Sequence, residues 1–162
     1  MVRLYGLLMG ISLSCYGAAA PPGFDGNMLV ELSELNLQLP LPAWIPSGFK
    51  AEVSETVFNV NNQRYITVEY KQKDVAKSFS FQFAAVKLGV PIFADERARP
   101  VRVGFTSAGF GASHFLTATV RGLPECQTPW IDLKSRSFPK FGSFVSLGVR
   151  SETAKKILES VR

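Results

Sequence analysis

Alternation with a period of two is the feature that most limits what this chain can become. Phe79, Phe81 and Phe83 alternate with Ser78, Ser80 and Gln82, and Ile66, Val68 and Tyr70 alternate with Tyr65, Thr67 and Glu69. Successive side chains of a strand point to opposite faces, so each run makes a strand with one apolar face, whereas a helix would scatter the same residues around its axis. The pattern resumes at Val101, Val103 and Phe105, at Leu116, Ala118 and Val120, and at Val145, Leu147 and Val149. Between the first runs, NVNNQR (59–64) and KQKD (71–74) are turn-like and short enough for hairpins. Short connections between one-faced strands predict an antiparallel meander, because parallel strands need long crossovers.

The C-terminus changes period. In RSETAKKILESVR, Ser151 suits an N-cap, Glu152 suits the positive end of a helix dipole, and Ala154, Ile157, Leu158 and Val161 recur at i, i+3, i+4 and i+7. The expected fold is therefore α+β, an antiparallel β-sheet packed by a C-terminal amphipathic helix. Upstream, Asp25 can cap a short helix in which Met28, Leu29, Leu32 and Leu35 fall at helical spacing. Pro40, Pro42 and Pro46 then impose an extended approach, and Ser47-Gly48 supplies a turn before Phe49.

The first residues place Arg3 before an apolar run from Leu4 to Leu13 and end in Ala18-Ala19-Ala20, the order of a secretory signal peptide. A membrane anchor is the alternative, but this run is shorter than the ~20 residues a spanning helix needs. Lipidation at Cys15 is a further alternative, with Ser12 and Leu13 in the reverse of the usual order. The chain divides into a signal peptide at 1–19, an N-terminal segment with the short helix and Pro-rich approach at 20–43, and an α+β domain at 44–162. An exported, periplasmic or extracellular protein with no transmembrane span in the mature chain is expected. Loss of Arg3 lowers the net charge from +5 to +4.

Cleavage also removes Cys15 and leaves Cys126 as a free thiol with no internal partner, so the apolar core must stabilise the domain. Cys126 is open to three readings: buried and inert, paired with another chain, or reactive. The adjacent Glu125 would raise its pKa and disfavour the thiolate. The only histidine, His114, follows Ser113 without a Gly-x-Ser-x-Gly elbow. One His and one mature Cys do not make a zinc ligand set, and no calcium-loop spacing of acids is present. GFTSAGFGAS (104–113) lacks the Gly-Lys-Ser/Thr ending that holds phosphate and reads as a flexible hairpin loop. Adjacent acids such as Asp95-Glu96 point apart in a strand. No enzyme, metal or cofactor is expected. The basic residues Arg97, Arg99 and Arg102, Lys134, Arg136 and Lys140, and Lys155 and Lys156 are scattered without stacked aromatics, which argues against nucleic acid.

Phenylalanine is in excess, with 13 copies. Phe79, Phe81 and Phe83 could line an apolar pocket joined by Phe105, Phe110, Phe115, Phe138, Phe141 and Phe144, or they form the core under the terminal helix. Trp44 and Trp130, each close to a proline, serve either as packing anchors or as exposed interface residues.

LPAWIPSGFKAE (41–52), RYITVEYKQKD (64–74) and FVSLGVRSETAKKILESVR (144–162) together resemble the small exported domain attached to some bacterial anti-sigma-factor proteins. The last stretch, a strand with a glycine, a Ser/Thr-containing cap and a helix, is also similar to the C-terminal domain of the periplasmic MucB/RseB sigma-factor regulators. The likeness spans 44–162, with 87–142 matching neither pattern. It implies a non-enzymatic sensing or protein-binding module of the cell envelope, whose partner is an envelope protein such as a membrane-anchored regulator. The phenylalanines suggest the alternative, a carrier or sensor of a lipid-like ligand.

Overall fold

The computed structural model describes residues 20–34, 37–58, 63–73, 75–87, 89, 93 and 97–162. Residues 1–19, which hold Cys15 and are expected from the sequence to be a signal peptide, lie outside the described residues, as do Leu35, residues 59–62, Asp74 and the Asp95-Glu96 pair. No described helix is long and apolar enough to cross a membrane.

Eight strands form one antiparallel sheet: β1 (Phe49–Phe58), β2 (Gln63–Gln72), β3 (Ser78–Ala84), β4 (Val101–Ser107), β5 (Gly111–Val120), β6 (Leu123–Gln127), β7 (Ile131–Asp132) and β8 (Phe141–Leu147). The order is β1-β2-β3-β8-β6-β5-β4, with β7 also on β8. Two three-stranded meanders thus meet edge to edge on the last strand, which lies at the centre of the sheet.

Register decides which residues share the buried face, because residues directly opposite one another point the same way. Ala51, Tyr70, Phe79, Ser146, Cys126, Thr117 and Val101 form one row across all seven strands of the path. Val53, Val68, Phe81 and Phe144 form the next. The first two alternating runs are therefore phased as expected, with Ile66, Val68, Tyr70, Phe79, Phe81 and Phe83 all buried.

Two later runs depart in part from the expected phase. In β5 Ala118 and Val120 are buried as expected, but Leu116 on their face is only half-buried, and Phe115, on the face of Thr117, is fully buried. In β8 the core residues are Phe144 and Ser146, while Val145 is half-buried and Leu147 is 39% exposed. Apolar residues stand next to each other at Phe115-Leu116 and Phe144-Val145, so alternation alone has no unique phase there. Val149 is buried beyond the strand, in the link to the helix, and Val101 is 62% exposed on the edge strand β4.

Helix α2 (Ser151–Glu159) packs over β4 and β6, burying Ala154, Ile157 and Leu158 completely. Its N-cap is Arg150 rather than Ser151, and no side chain caps it. Glu152 in its first turn still complements the dipole. Helix α1 (Gly26–Glu34) is capped as its sequence suggests, with the Met28 N–H donating to Asp25 Oδ1 at 3.0 Å. Leu32, Leu37, Leu39 and Leu41 carry this N-terminal segment into the same core as the sheet.

The Pro-rich approach has a structural partner. Pro42 bridges Val161, the Ala43 N–H donates to the Ser160 carbonyl at 3.0 Å, and the Arg162 N–H donates to the Leu41 carbonyl at 3.2 Å. Prolines hold this stretch extended, and an extended stretch can pair with the chain end leaving α2. Between β4 and β5, Gly109 joins them, its N–H donating to the Val161 carbonyl at 3.0 Å. The glycine-rich stretch 104–113 is thus mostly strand, with a tight turn docked on the C-terminus.

Candidate functional site: a groove where the sheet divides

The chain from β6 to β7 runs along β8, but not evenly. Gln127 faces Val145 and Ile131 faces Gly142, so four steps on one strand match three on the other. One extra residue is inserted between them, a bulge that contains Pro129, whose missing N–H cannot join a ladder. Its neighbour β5 does not follow. Pairing of β5 with β6 covers Leu116 to Val120 and stops at Leu116 opposite Gln127, whereas pairing with β4 continues to Gly111. Residues 111–115 are therefore paired on one edge only, and among the described residues no backbone hydrogen bond reaches them from the β7 side.

The parting leaves a cleft of about 560 Å³. Gly111, Ala112 and Ser113 form one wall, Pro129 to Lys134 the other, and Ala108 to Phe110 close one end. Phe110 is buried, its ring 5.8 Å from that of Phe81 and against Gly142, where an added Cβ would lie 3.1 Å from Phe110 Cε1. The phenylalanine acts as a wedge seated on the one strand position with no side chain in its way.

Positive charge gathers on the β7 side. Asp132 is paired with Lys134 at 2.8 Å, and the Lys134 ammonium and backbone N–H hold its carboxyl below the usual carboxylate range. Arg136 and Lys140 are exposed beyond it. With Asp132 as the one acid in 129–140, that stretch carries a net charge of +2.

Of the residues singled out in the sequence, Trp130 lines this cleft, half-buried and edge-on to Tyr65 at 6.2 Å. Burial raises the Tyr65 pKa. Trp44 lies elsewhere, on the Pro-rich approach, under the Lys156 ammonium at 4.0 Å from the ring. Its backbone N–H donates to Ser160 Oγ at 3.2 Å, so Trp44 anchors the approach to the end of α2. Phe79, Phe81 and Phe83 are core, at most 1% exposed. Phe79 stacks on Tyr70 at 4.6 Å, and Phe81 meets Phe144 at 5.3 Å. Strand β3 lies between β2 and β8, so its inward face offers a partner no surface in this conformation.

Cys126 is fully buried in the row between Thr117 and Ser146, with Thr117 Oγ1 3.4 Å from its sulfur. Burial is the main cause that pushes its pKa above the usual value, with the Glu125 charge a lesser one. This is the setting of an inert thiol. Ser113 and His114 are successive residues of β5, so their side chains leave on opposite faces. Among the described residues no group of three His, Cys, Asp or Glu is placed to hold a metal ion.

The sequence marks Phe110 as a candidate pocket residue and 104–113 as a flexible loop, but nothing in it marks Gly142 or the open edge of β5. The nearest signal is Pro129 following a strand-like run, since proline interrupts a ladder. No family model matches the chain, and no curated protein or solved structure matches it.

Proposed function

We propose that this chain is a non-enzymatic, exported binding module of the cell envelope whose partner is another protein, and that it serves a regulatory role. The observation that carries the reading is the division of the sheet between β5 and β7, which leaves a solvent-open groove with an unpaired strand edge. An edge of that kind offers a row of backbone donors and acceptors with which another extended chain can pair. The likeness of 41–52, 64–74 and 144–162 to exported anti-sigma-factor domains and to sigma-factor regulators supports the regulatory part. A lipid-carrier role gains less, because the phenylalanines that suggested it pack ring against ring.

Photo-crosslinking in the native host tests the reading. With benzoylphenylalanine in place of Trp130, a covalent adduct of polypeptide mass is expected, and none from the same group at the exposed Glu52. Failure to crosslink any polypeptide through position 130 would remove the protein-binding reading. A lipid-mass adduct surviving native mass spectrometry would replace it with the carrier.

A further inference from the structure

We infer that residues 111–114 of β5 accept an extended polypeptide segment with apolar residues at alternate positions as an added strand, an inference that rests on the protein-binding reading and specifies its mode. In an antiparallel ladder each residue directs its N–H and C=O to the same side, and successive residues alternate between sides. Residues 111–115 pair with β4 on one side, so every second residue turns both groups toward the groove. Phe115 is fully buried, so the open edge is 111–114, and four residues of strand span about 14 Å, enough for a short ladder.

The side chains around this edge fit the same occupant. Gly111, Ala112 and Ser113 are small and at least partly exposed, so a second backbone can approach. The far wall holds Trp130, Ile131 and Leu133, against which alternate side chains of an added strand would rest. The outer edges of the sheet are less suited. On β1, the Ala51 N–H already donates to the Gly23 carbonyl at 2.9 Å. On β4, burial is low and the arginine Arg102 stands exposed.

The charged residues that line the groove, Asp132 and Lys134, are paired with one another, so the apolar far wall sets the complement: a strand with apolar residues at alternate positions.

The test uses the purified full chain and a phage-displayed library of random linear dodecapeptides, with enriched sequences synthesised and titrated by fluorescence anisotropy. Enriched peptides are expected to alternate apolar residues. Methylating the peptide backbone nitrogens one at a time should weaken binding by about tenfold or more at every second position and little between them, since a lost donor alone accounts for several-fold and the methyl group adds a clash. Amides in 111–114 that do not face β4 should gain protection from hydrogen exchange. Binding insensitive to the parity of methylation, or without new protection in 111–114, would overturn strand addition even if crosslinking through position 130 still captured a protein. No enrichment together with no crosslink would overturn both.

Discussion

Gly109→Ala is a single-methyl test of how the two ends of the chain hold the groove in place. The added Cβ would lie 2.7 Å from Val161 Cγ1 and 2.8 Å from Pro40 Cβ, with the Arg162 backbone at 3.3 Å. Gly109 is not among the positive-φ glycines, so alanine suits its backbone and the effect is steric alone. Overpacking of this kind costs about 1–3 kcal/mol. Displacing the turn also strains the hydrogen bond from the Gly109 N–H to Val161, worth about 0.5–1.5 kcal/mol. Against this, alanine stiffens the unfolded chain by about 0.4–1 kcal/mol. The net is a loss of about 0.5–4 kcal/mol, which at 2–4 °C per kcal/mol lowers Tm by roughly 1–16 °C. Thermal and urea unfolding read it, with Gly26→Ala as the control, because nothing lies within 4 Å of an added Cβ there. That change sits in α1 and should stabilise by up to about 1 kcal/mol. Because Val161→Ala removes one of the two clashing groups, the double variant should lose less than the sum of the single losses. A Gly109→Ala protein that melts at or above the parent temperature would refute the account of the junction.

Two further expectations follow from burial. Ile157→Asp sets an unpaired carboxylate on a fully buried face of α2 and should cost about 4 kcal/mol or more, a large part of a typical domain's stability; a parent-like far-UV circular dichroism spectrum and urea midpoint would contradict the packing of the helix. Cys126 has a folded pKa raised above its usual value, so the folded state holds its proton to higher pH than the unfolded state does. Its stabilising contribution is complete below the unfolded pKa and is lost as pH rises toward the folded one, which puts the decline above about pH 8.5. Iodoacetamide should label it at pH 8 only after denaturation, and rapid labelling of the native protein would show that the thiol is open.

The sheet was legible wherever one face of a strand is purely polar. Ser78, Ser80 and Gln82 leave Phe79, Phe81 and Phe83 only one way to point, and the same holds for Ile66, Val68 and Tyr70. The α2 stripe was legible for the parallel reason that Ala154, Ile157 and Leu158 fall on one helical face and are fully buried; Val161, expected to continue it, is buried past the helix end, where it bridges Pro42. Where apolar residues adjoin, as at Phe115-Leu116 and Phe144-Val145, the phase depends on pairing with strands far away in sequence. Central placement of β8 was not legible either, since nothing local tells a last strand to insert between β3 and β6. The groove depends on both of these. It arises where β5 stops following β6, a comparison of registers across three strands, and its wedge, Phe110, is one phenylalanine among 13.

An unpaired strand edge ordinarily invites edge-to-edge association, and proteins blunt such edges with charge, proline, bulges or cover. Here the blunting devices stand opposite the open edge instead of on it. Pro129 and the bulge keep the chain between β6 and β7 from completing the ladder to β5, and Lys134 and Asp132 form an ion pair on that same wall. Residues 111–113, in contrast, are glycine, alanine and serine. The two walls and the closed end at Ala108 to Phe110 make a slot, which a whole sheet edge from another molecule cannot enter as readily as a single extended segment. Edge exposure is thereby confined to residues 111–114 and screened from broad association, while the backbone groups remain available to a narrow partner. Filling the notch at Gly142 would undo this arrangement first, because Phe110 holds the hairpin tip against β8 only while that position lacks a side chain.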